Sequence, residues 1–343
     1  MSWESLHSIN PNLRKRHRQP YSTKDYVSGI ISGNRVLLSQ SITLLESTRP
    51  AHQQLAQEIL EACLPHSSNS VRIGITGTPG VGKSTFIEAF GLHLIAQGRR
   101  LAVLAIDPSS QLSKGSILGD KTRMAQLANH QAAFIRPSAA SGSLGGVAHK
   151  TRETLLLCEA AGYDTILIET VGVGQSETAV RSMVDCFLLL LQPGAGDELQ
   201  GIKRGIVEMA DILAVNKADG ERIALAKRAQ QEYRNALHLF PAKASNWTPQ
   251  VLTCSATTGE NIPHIWQIIE DFCKFTQANG YFERNRSEQL KHWLYETIEF
   301  QLLKQFYQHP SVQEYLPTLS QAVQERHLSV RKAVEKLLSA FLK

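Results

Sequence analysis

Eight consecutive residues, Gly77-Thr78-Pro79-Gly80-Val81-Gly82-Lys83-Ser84, combine three glycines, a lysine and a hydroxyl at a spacing suited to phosphate. Glycine lets backbone N–H groups turn inward around phosphate oxygens, and a helix starting there adds its positive end. Pro79 removes one donor, so the cradle relies on the remaining amides. Lys83 is placed to reach the β- and γ-phosphates and Ser84 to offer its hydroxyl to Mg²⁺. Thr85 can reach the α-phosphate. The flanks fit a strand and a helix on either side of such a loop. An apolar run, Val71–Thr76, precedes it, and an amphipathic stretch with Phe86, Phe90, Leu94 and Ile95 follows.

A second cluster, Asn216-Lys217-Ala218-Asp219, closes the apolar run that begins at Ile212. A carboxylate at Asp219 can accept from the N1–H and N2–H₂ edge of guanine, and adenine has no such donor pair. A site built for those bonds discriminates by on the order of 10⁴. Lys217 is expected to lay its stem along the base and Asn216 to brace the loop. Further on, Ser255-Ala256-Thr257 resembles the element that backs the guanine O6. Together these residues predict GTP and GDP as ligands.

A third stretch runs from Ile166 to Glu177 and places Glu169 at the end of an apolar run. Strand C-termini line the ligand crevice of a parallel sheet. Glu169, Asp107 at the end of another run and Ser84 therefore make a magnesium shell, direct or through water. Guanine-nucleotide switches mostly carry Asp-x-x-Gly here, whereas this chain has Glu169-Thr170-Val171-Gly172. The extra methylene favours contact through a bound water. Val173 follows, where small signalling GTPases use a glutamine to orient the attacking water. Hydrolysis is thus expected to be slow, or aided by Gln175, Lys203 or a partner.

These side chains need a scaffold. Seven short apolar runs, Val71–Thr76, Leu101–Asp107, Ala132–Ile135, Thr165–Glu169, Cys186–Leu191, Ile212–Asn216 and Val251–Cys254, alternate with longer amphipathic segments. Runs this apolar suit strands covered on both faces, which predicts an α/β fold with a mostly parallel, doubly wound sheet. The expected organisation is a basic tail over 1–20, a helical segment over 21–65, the nucleotide domain over 66–280 and a helical arm over 281–343. Ser22 with Asp25 reads as a capping pair, and Pro50 and Pro65 as interruptions. In the arm, Leu290, Leu294 and Ile298 share a face, and a further helix is predicted from about Leu319 to Leu342, set apart by Pro310 and Pro317. Those faces either pack on this chain's own sheet or form a free arm for dimerisation. Gly145-Gly146-Val147-Ala148-His149 reads as a tight turn before a helix over Lys150–Ala161, with His149 at the surface or in a cap.

Bulk properties narrow the classes. With 343 residues, 42% hydrophobic and 20% charged, the chain can bury a sizeable core. The net charge of +5 is mild for this length and neither nucleic acid nor membrane is an expected partner; the cluster Arg14-Lys15-Arg16-His17-Arg18 reads as a flexible, solvated tail, with an anionic partner or a targeting peptide as the alternatives. The longest apolar run, Cys186–Leu191, is too short to span a bilayer. The five cysteines are scattered without a Cys-x-x-Cys, and the twelve histidines make no convincing ligand pair. The expected setting is the reducing cytoplasm.

Longer motifs occur in order: Ala105-Ile106-Asp107-Pro108-Ser109-Ser110, Gly115-Ser116-Ile117-Leu118-Gly119-Asp120-Lys121-Thr122-Arg123-Met124, Phe134-Ile135-Arg136-Pro137, Gly145-Gly146-Val147-Ala148, Glu169-Thr170-Val171-Gly172-Val173-Gly174-Gln175-Ser176-Glu177 and Gly194-Ala195-Gly196-Asp197-Glu198-Leu199-Gln200. This series resembles the MeaB/ArgK family of P-loop GTPases, of the SIMIBI class, over roughly residues 25–280. The resemblance implies a GTP-driven chaperone that gates adenosylcobalamin loading and protects or reactivates methylmalonyl-CoA mutase or a related acyl-CoA mutase. It also implies homodimers built through C-terminal helices. Asp107, Asp120 and Glu169 match the family's magnesium and switch acids, and Lys203 a mobile switch that supports hydrolysis. From the residues alone, the lesser alternatives are Asp120 as a helix cap, and Lys203 and Arg204 as solvating a helix end. Gln111-Leu112-Ser113-Lys114 departs from the family's usual turn. Thr78 replaces the signature lysine of partition ATPases. The alternative is a metallochaperone GTPase with another metalloenzyme client.

Overall fold

In the computed structural model, residues 21–67, 70–106, 124–137, 144–170, 176–194 and 204–342 are described. The seven apolar runs are seven strands: β1 (Val71–Gly77), β2 (Leu101–Ile106), β3 (Ala133–Pro137), β4 (Thr165–Thr170), β5 (Cys186–Leu191), β6 (Ile212–Val215) and β7 (Gln250–Thr253). They form one sheet in the order β3-β2-β4-β1-β5-β6-β7, with every neighbouring pair parallel. β4 and β5 are buried along their whole length, because helices cover both faces.

Alternate strand residues feed two apolar layers. On one face Ile73, Ile75, Val103, Leu167, Leu188 and Ala214 pack with α4 (Lys83–Ala96), the short α5 (Ala125–Asn129) and α10 (Ile262–Ala278). On the other, Leu104, Ile166, Ile168, Phe187 and Leu213 pack with α6 (Leu144–Ala160), α7 (Ser176–Arg181), α8 (Arg204–Met209) and α9 (Ile223–Leu237).

Three N-terminal helices, α1 (Thr23–Ile31), α2 (Arg35–Glu46) and α3 (Pro50–Cys63), share this second layer through Ile30, Leu38, Ile42 and Ile59, all fully buried. Ser22 and Asp25 cap α1 reciprocally: the Asp25 amide donates to Ser22 Oγ at 3.2 Å and the Ser22 amide to Asp25 Oδ2 at 2.9 Å. Pro50 opens α3 rather than interrupting a helix, since the first helical position needs no donor. Polar ties reinforce the packing. Glu46 pairs with Arg136 at the end of β3, and its carbonyl accepts from Lys150 Nζ at 2.6 Å.

The Gly145–His149 stretch is not a turn, because α6 already starts at Leu144. Val147 and Ala148 are core residues, so the chain must be helical there to bury them along with Leu155 and Cys158. His149 is neither a surface nor a cap residue. Its ring lies 5.6 Å from Trp293 and 6.3 Å from Phe300, and its Nδ1 is 3.5 Å from Glu153.

The C-terminal region also departs from expectation. It holds three helices, α11 (Tyr281–Gln308), α12 (Pro310–Gln324) and α13 (Val330–Phe341), so the single helix expected from Leu319 to Leu342 is two. Arg326 adopts φ 59° and the His327 amide returns to the Ala322 carbonyl at 2.9 Å, which ends α12; Ser329 then caps α13. Pro310 begins α12, while Pro317 lies inside it. Gln313, whose carbonyl loses its helical partner to that proline, is exposed and open to water.

Candidate nucleotide site

The phosphate loop joins β1 to α4. Gly80 and Gly82 take φ of 82° and 96°, which L side chains rarely adopt. A Cβ on Gly82 would also stand 2.9 Å from Asn216 Nδ2. The glycine thus serves close approach as well as the turn.

Lys83 opens α4 and is 8% exposed. Its Nζ donates to the Gly77 carbonyl at 2.7 Å and the Thr78 carbonyl at 3.3 Å. Burial lowers its pKa, opposed by the charges of Glu169 and Glu177. Thr85 and Pro79 are exposed on the loop side.

Register explains where Glu169 stands. β4 lies between β2 and β1, with Glu169 opposite Ile75 and Ala105. Thr170 Oγ1 donates to Thr76 Oγ1 at 2.8 Å, which fixes the two strand ends together. Glu169 Oε1 then sits 3.5 Å from Ser84 Oγ. Two hard oxygen donors meet beside the cradle, a donor set suited to Mg²⁺. β2 ends at this edge too, with Ile106 opposite Thr170. Asp107, Asp120, Gln175 and Lys203 lie outside the described residues, as do Val173 and the Gln111–Lys114 segment.

The residues expected to read the base gather at the end of β6. Asn216 Nδ2 donates to the Val81 carbonyl at 2.9 Å, and its Oδ1 accepts from the Ala256 amide at 3.1 Å. Lys217, at φ 60°, reaches back so that Nζ donates to the Gly80 carbonyl at 2.7 Å. Asp219 Oδ2 accepts from Ser255 Oγ at 2.6 Å. Ser255 is fully buried while Asp219 is half-buried, so one carboxylate edge is held and the group stays accessible. Thr257 is exposed beside them.

Of two further contributors, Asn261 has no motif signal of its own, whereas Glu177 closes the Glu169–Glu177 motif. Asn261 donates to the Thr253 carbonyl at 2.9 Å and steadies the loop after β7. Glu177, in the first turn of α7, is 3% exposed and acts on Lys83. An isolated polar residue such as Asn261 gives no period or spacing to read. A separate cavity of 750 Å³ lies among Arg181, Lys243, Trp247 and Tyr281, where Asp211 leads into β6 at the other edge of the sheet.

Residues 38–311 match the family model described as methylmalonyl Co-A mutase-associated GTPase MeaB. The chain belongs to the MeaB family. Like the other members it is a GTP-hydrolysing enzyme that binds guanine nucleotide. It is 47% identical to the GTPase ArgK of Escherichia coli, over 89% of this chain and 92% of that one. It is 47% identical to the mitochondrial methylmalonic aciduria type A homolog of Mus musculus, over 92% of this chain and 78% of that one. A solved structure described as an LAO/AO transport system kinase superposes with a TM-score of 0.74 at 39% identity, covering 94% of this chain and 98% of that one. MeaB family membership thus agrees with the P-loop architecture. No described helix is long and apolar enough to cross a membrane.

Proposed function

We propose that this MeaB-family GTPase is a cytoplasmic chaperone for an adenosylcobalamin-dependent methylmalonyl-CoA mutase or a related acyl-CoA mutase. It gates cofactor loading and protects or reactivates the mutase as GTP is bound and hydrolysed. The observation that carries this reading is the match of residues 38–311 to a mutase-associated GTPase family.

In this reading Gly77 to Thr85 cradle the phosphates, with Lys83 on the β- and γ-phosphates. Asp219, Ser255, Ala256 and Thr257 read the guanine edge, while Asn216 and Lys217 hold the two loops together. Ser84 and Glu169 hold Mg²⁺, with Asp107 and Asp120. When bound, the metal neutralises charge on the β- and γ-phosphate oxygens. Hydrolysis is slow without the client, Lys203 and Gln175 assist it, and the client accelerates it. A guanine reader argues against the kinase chemistry of the LAO/AO relative's description; tighter ATP than GTP binding would overturn it.

The protein works as a homodimer through α11–α13. Leu290, Leu294, Leu302 and Leu303 on α11 are each more than half exposed, an apolar stripe that a second copy would cover. The test is GTP turnover with and without the purified mutase, alongside co-purification. Acceleration with association supports the chaperone; neither, with any acyl-CoA mutase, removes it.

A further inference from the structure

The 750 Å³ cavity lies at the N-terminal ends of β5 and β6, opposite the strand ends that carry the phosphate loop. Two cations line it: Arg181 at the end of α7 and Lys243 in the loop before β7. Both lean on one acid, Asp211, which stands behind the wall and is fully buried. Asp211 is already engaged. Its Oδ1 accepts from Lys243 Nζ at 3.1 Å and its Oδ2 from the Phe187 amide at 3.0 Å. Two cations sharing one buried acid leave the wall positive, and a concave low-dielectric wall concentrates that field. Glu208 at the rim is exposed, so water screens it.

Neither cation has spent its donors. Lys243 has three N–H groups, of which Asp211 and the Met209 carbonyl, at 3.1 Å, take two. Arg181 has five, yet its contacts are all long: the Asp185 carbonyl and Tyr281 Oη at 3.4 Å and Asp211 Oδ2 at 3.5 Å. The same region pairs tightly elsewhere. Arg286 on α11 holds both Asp185 oxygens at 2.7 and 2.8 Å, and Gln289 donates to the Val184 carbonyl at 2.8 Å. Burial lowers the Lys243 pKa against the pull of Asp211, a cost that an anion in the cavity relieves. Trp247 and Leu237 supply apolar wall. The indole is fixed in place, since Nε1 donates to the Asp211 carbonyl at 3.1 Å and the ring lies 5.4 Å from Phe272. The volume is typical of small-molecule sites.

We propose that this cavity binds a small organic anion, a carboxylate or phosphate head on an apolar body, with Arg181 and Lys243 on the head and Trp247 against the body. A guanidinium fork matches either head with two parallel hydrogen bonds. The test titrates phenyl phosphate, benzoate and neutral benzyl alcohol, by calorimetry, into the full chain already loaded with GDP and Mg²⁺, so that the phosphate loop is filled. One anion or both should saturate a single site, with benzyl alcohol weaker by on the order of tenfold or more; the tighter anion names the head. Lys243→Met should weaken that anion by about tenfold. Glu208→Lys, a change at an exposed position, should tighten it by roughly two- to fivefold. Absence of saturation by both anions overturns the proposal, as does benzyl alcohol binding equally well or Lys243→Met binding unchanged. Should Lys243→Met fail to fold, Glu208→Lys decides: tighter anion binding supports the site, and equal or weaker binding overturns it.

Discussion

Asn216 donates its side-chain amide to the Val81 carbonyl at 2.9 Å, which ties the loop after β6 to the phosphate loop. The same side chain accepts from the Ala256 amide, so three segments far apart in sequence meet on one buried carboxamide. Asn216→Ala strands the partner groups without hydrogen bonds, at roughly 1–3 kcal/mol each. The expected result is a lower midpoint in denaturant unfolding together with weakened GDP binding, measured by calorimetry.

Asp219 is predicted to set base choice. Asp219→Ala removes the acceptor for the guanine amino edge and leaves the buried Ser255 hydroxyl short of its partner. GDP affinity should fall by about two orders of magnitude or more, with little change for ADP. Competition binding of the two diphosphates checks it; an unchanged preference would falsify the guanine assignment.

The interface of α6 with α11 carries a pH dependence. Burial raises the Glu153 carboxyl from 4.5 to about 7, with Lys150 pulling weakly the other way. His149 beside it is shifted down, again mainly by burial. Above pH 4.5 the unfolded chain releases the Glu153 proton before the folded chain does. The stability held in this group is therefore complete below 4.5 and is lost as pH rises to about 7. Glu153→Gln should flatten that slope and be more stable than the unaltered chain at pH 8, by up to roughly 3 kcal/mol. Urea melts at pH 5 and pH 8 read the difference.

The apolar stripe on α11 should govern oligomeric state. Leu294 is 59% exposed, so Leu294→Glu is not expected to disturb the fold of one chain. It places a charge in the proposed contact between copies. Light scattering should show a shift from dimer to monomer with an unchanged thermal midpoint for the nucleotide domain; a dimer that persists would point to another contact surface.

Much of the fold was legible in the residues. All seven strands overlap apolar runs because strands covered on both faces need mostly apolar side chains, a local signal that is fullest in β4 and β5 and weakest in the edge strand β7. The misreadings have local causes too. Gly145 and Gly146 are turn formers by propensity, yet the need to bury Val147 and Ala148 keeps them helical. Pro317 reads as a break, but an exposed carbonyl one turn back tolerates its missing donor. The left-handed residue that ends α12 is Arg326, a type that announces no such conformation.

Within the candidate site, contiguous motifs were readable because one loop or one strand end carries them. Asn261 was not, since its hold on the Thr253 carbonyl depends on how the loop after β7 folds back. By itself the sequence determined the strands, the phosphate loop and the polar Asn216–Asp219 strand end, each set by residue type and short-range spacing. Only tertiary structure decided that β4 lies between β2 and β1, that Glu169 faces Ser84 and that α11 clasps the segment after α7. Strand order and helix docking come from long-range packing, where burial of apolar faces is satisfied by contacts between residues a hundred positions apart, and no local pattern encodes those pairings.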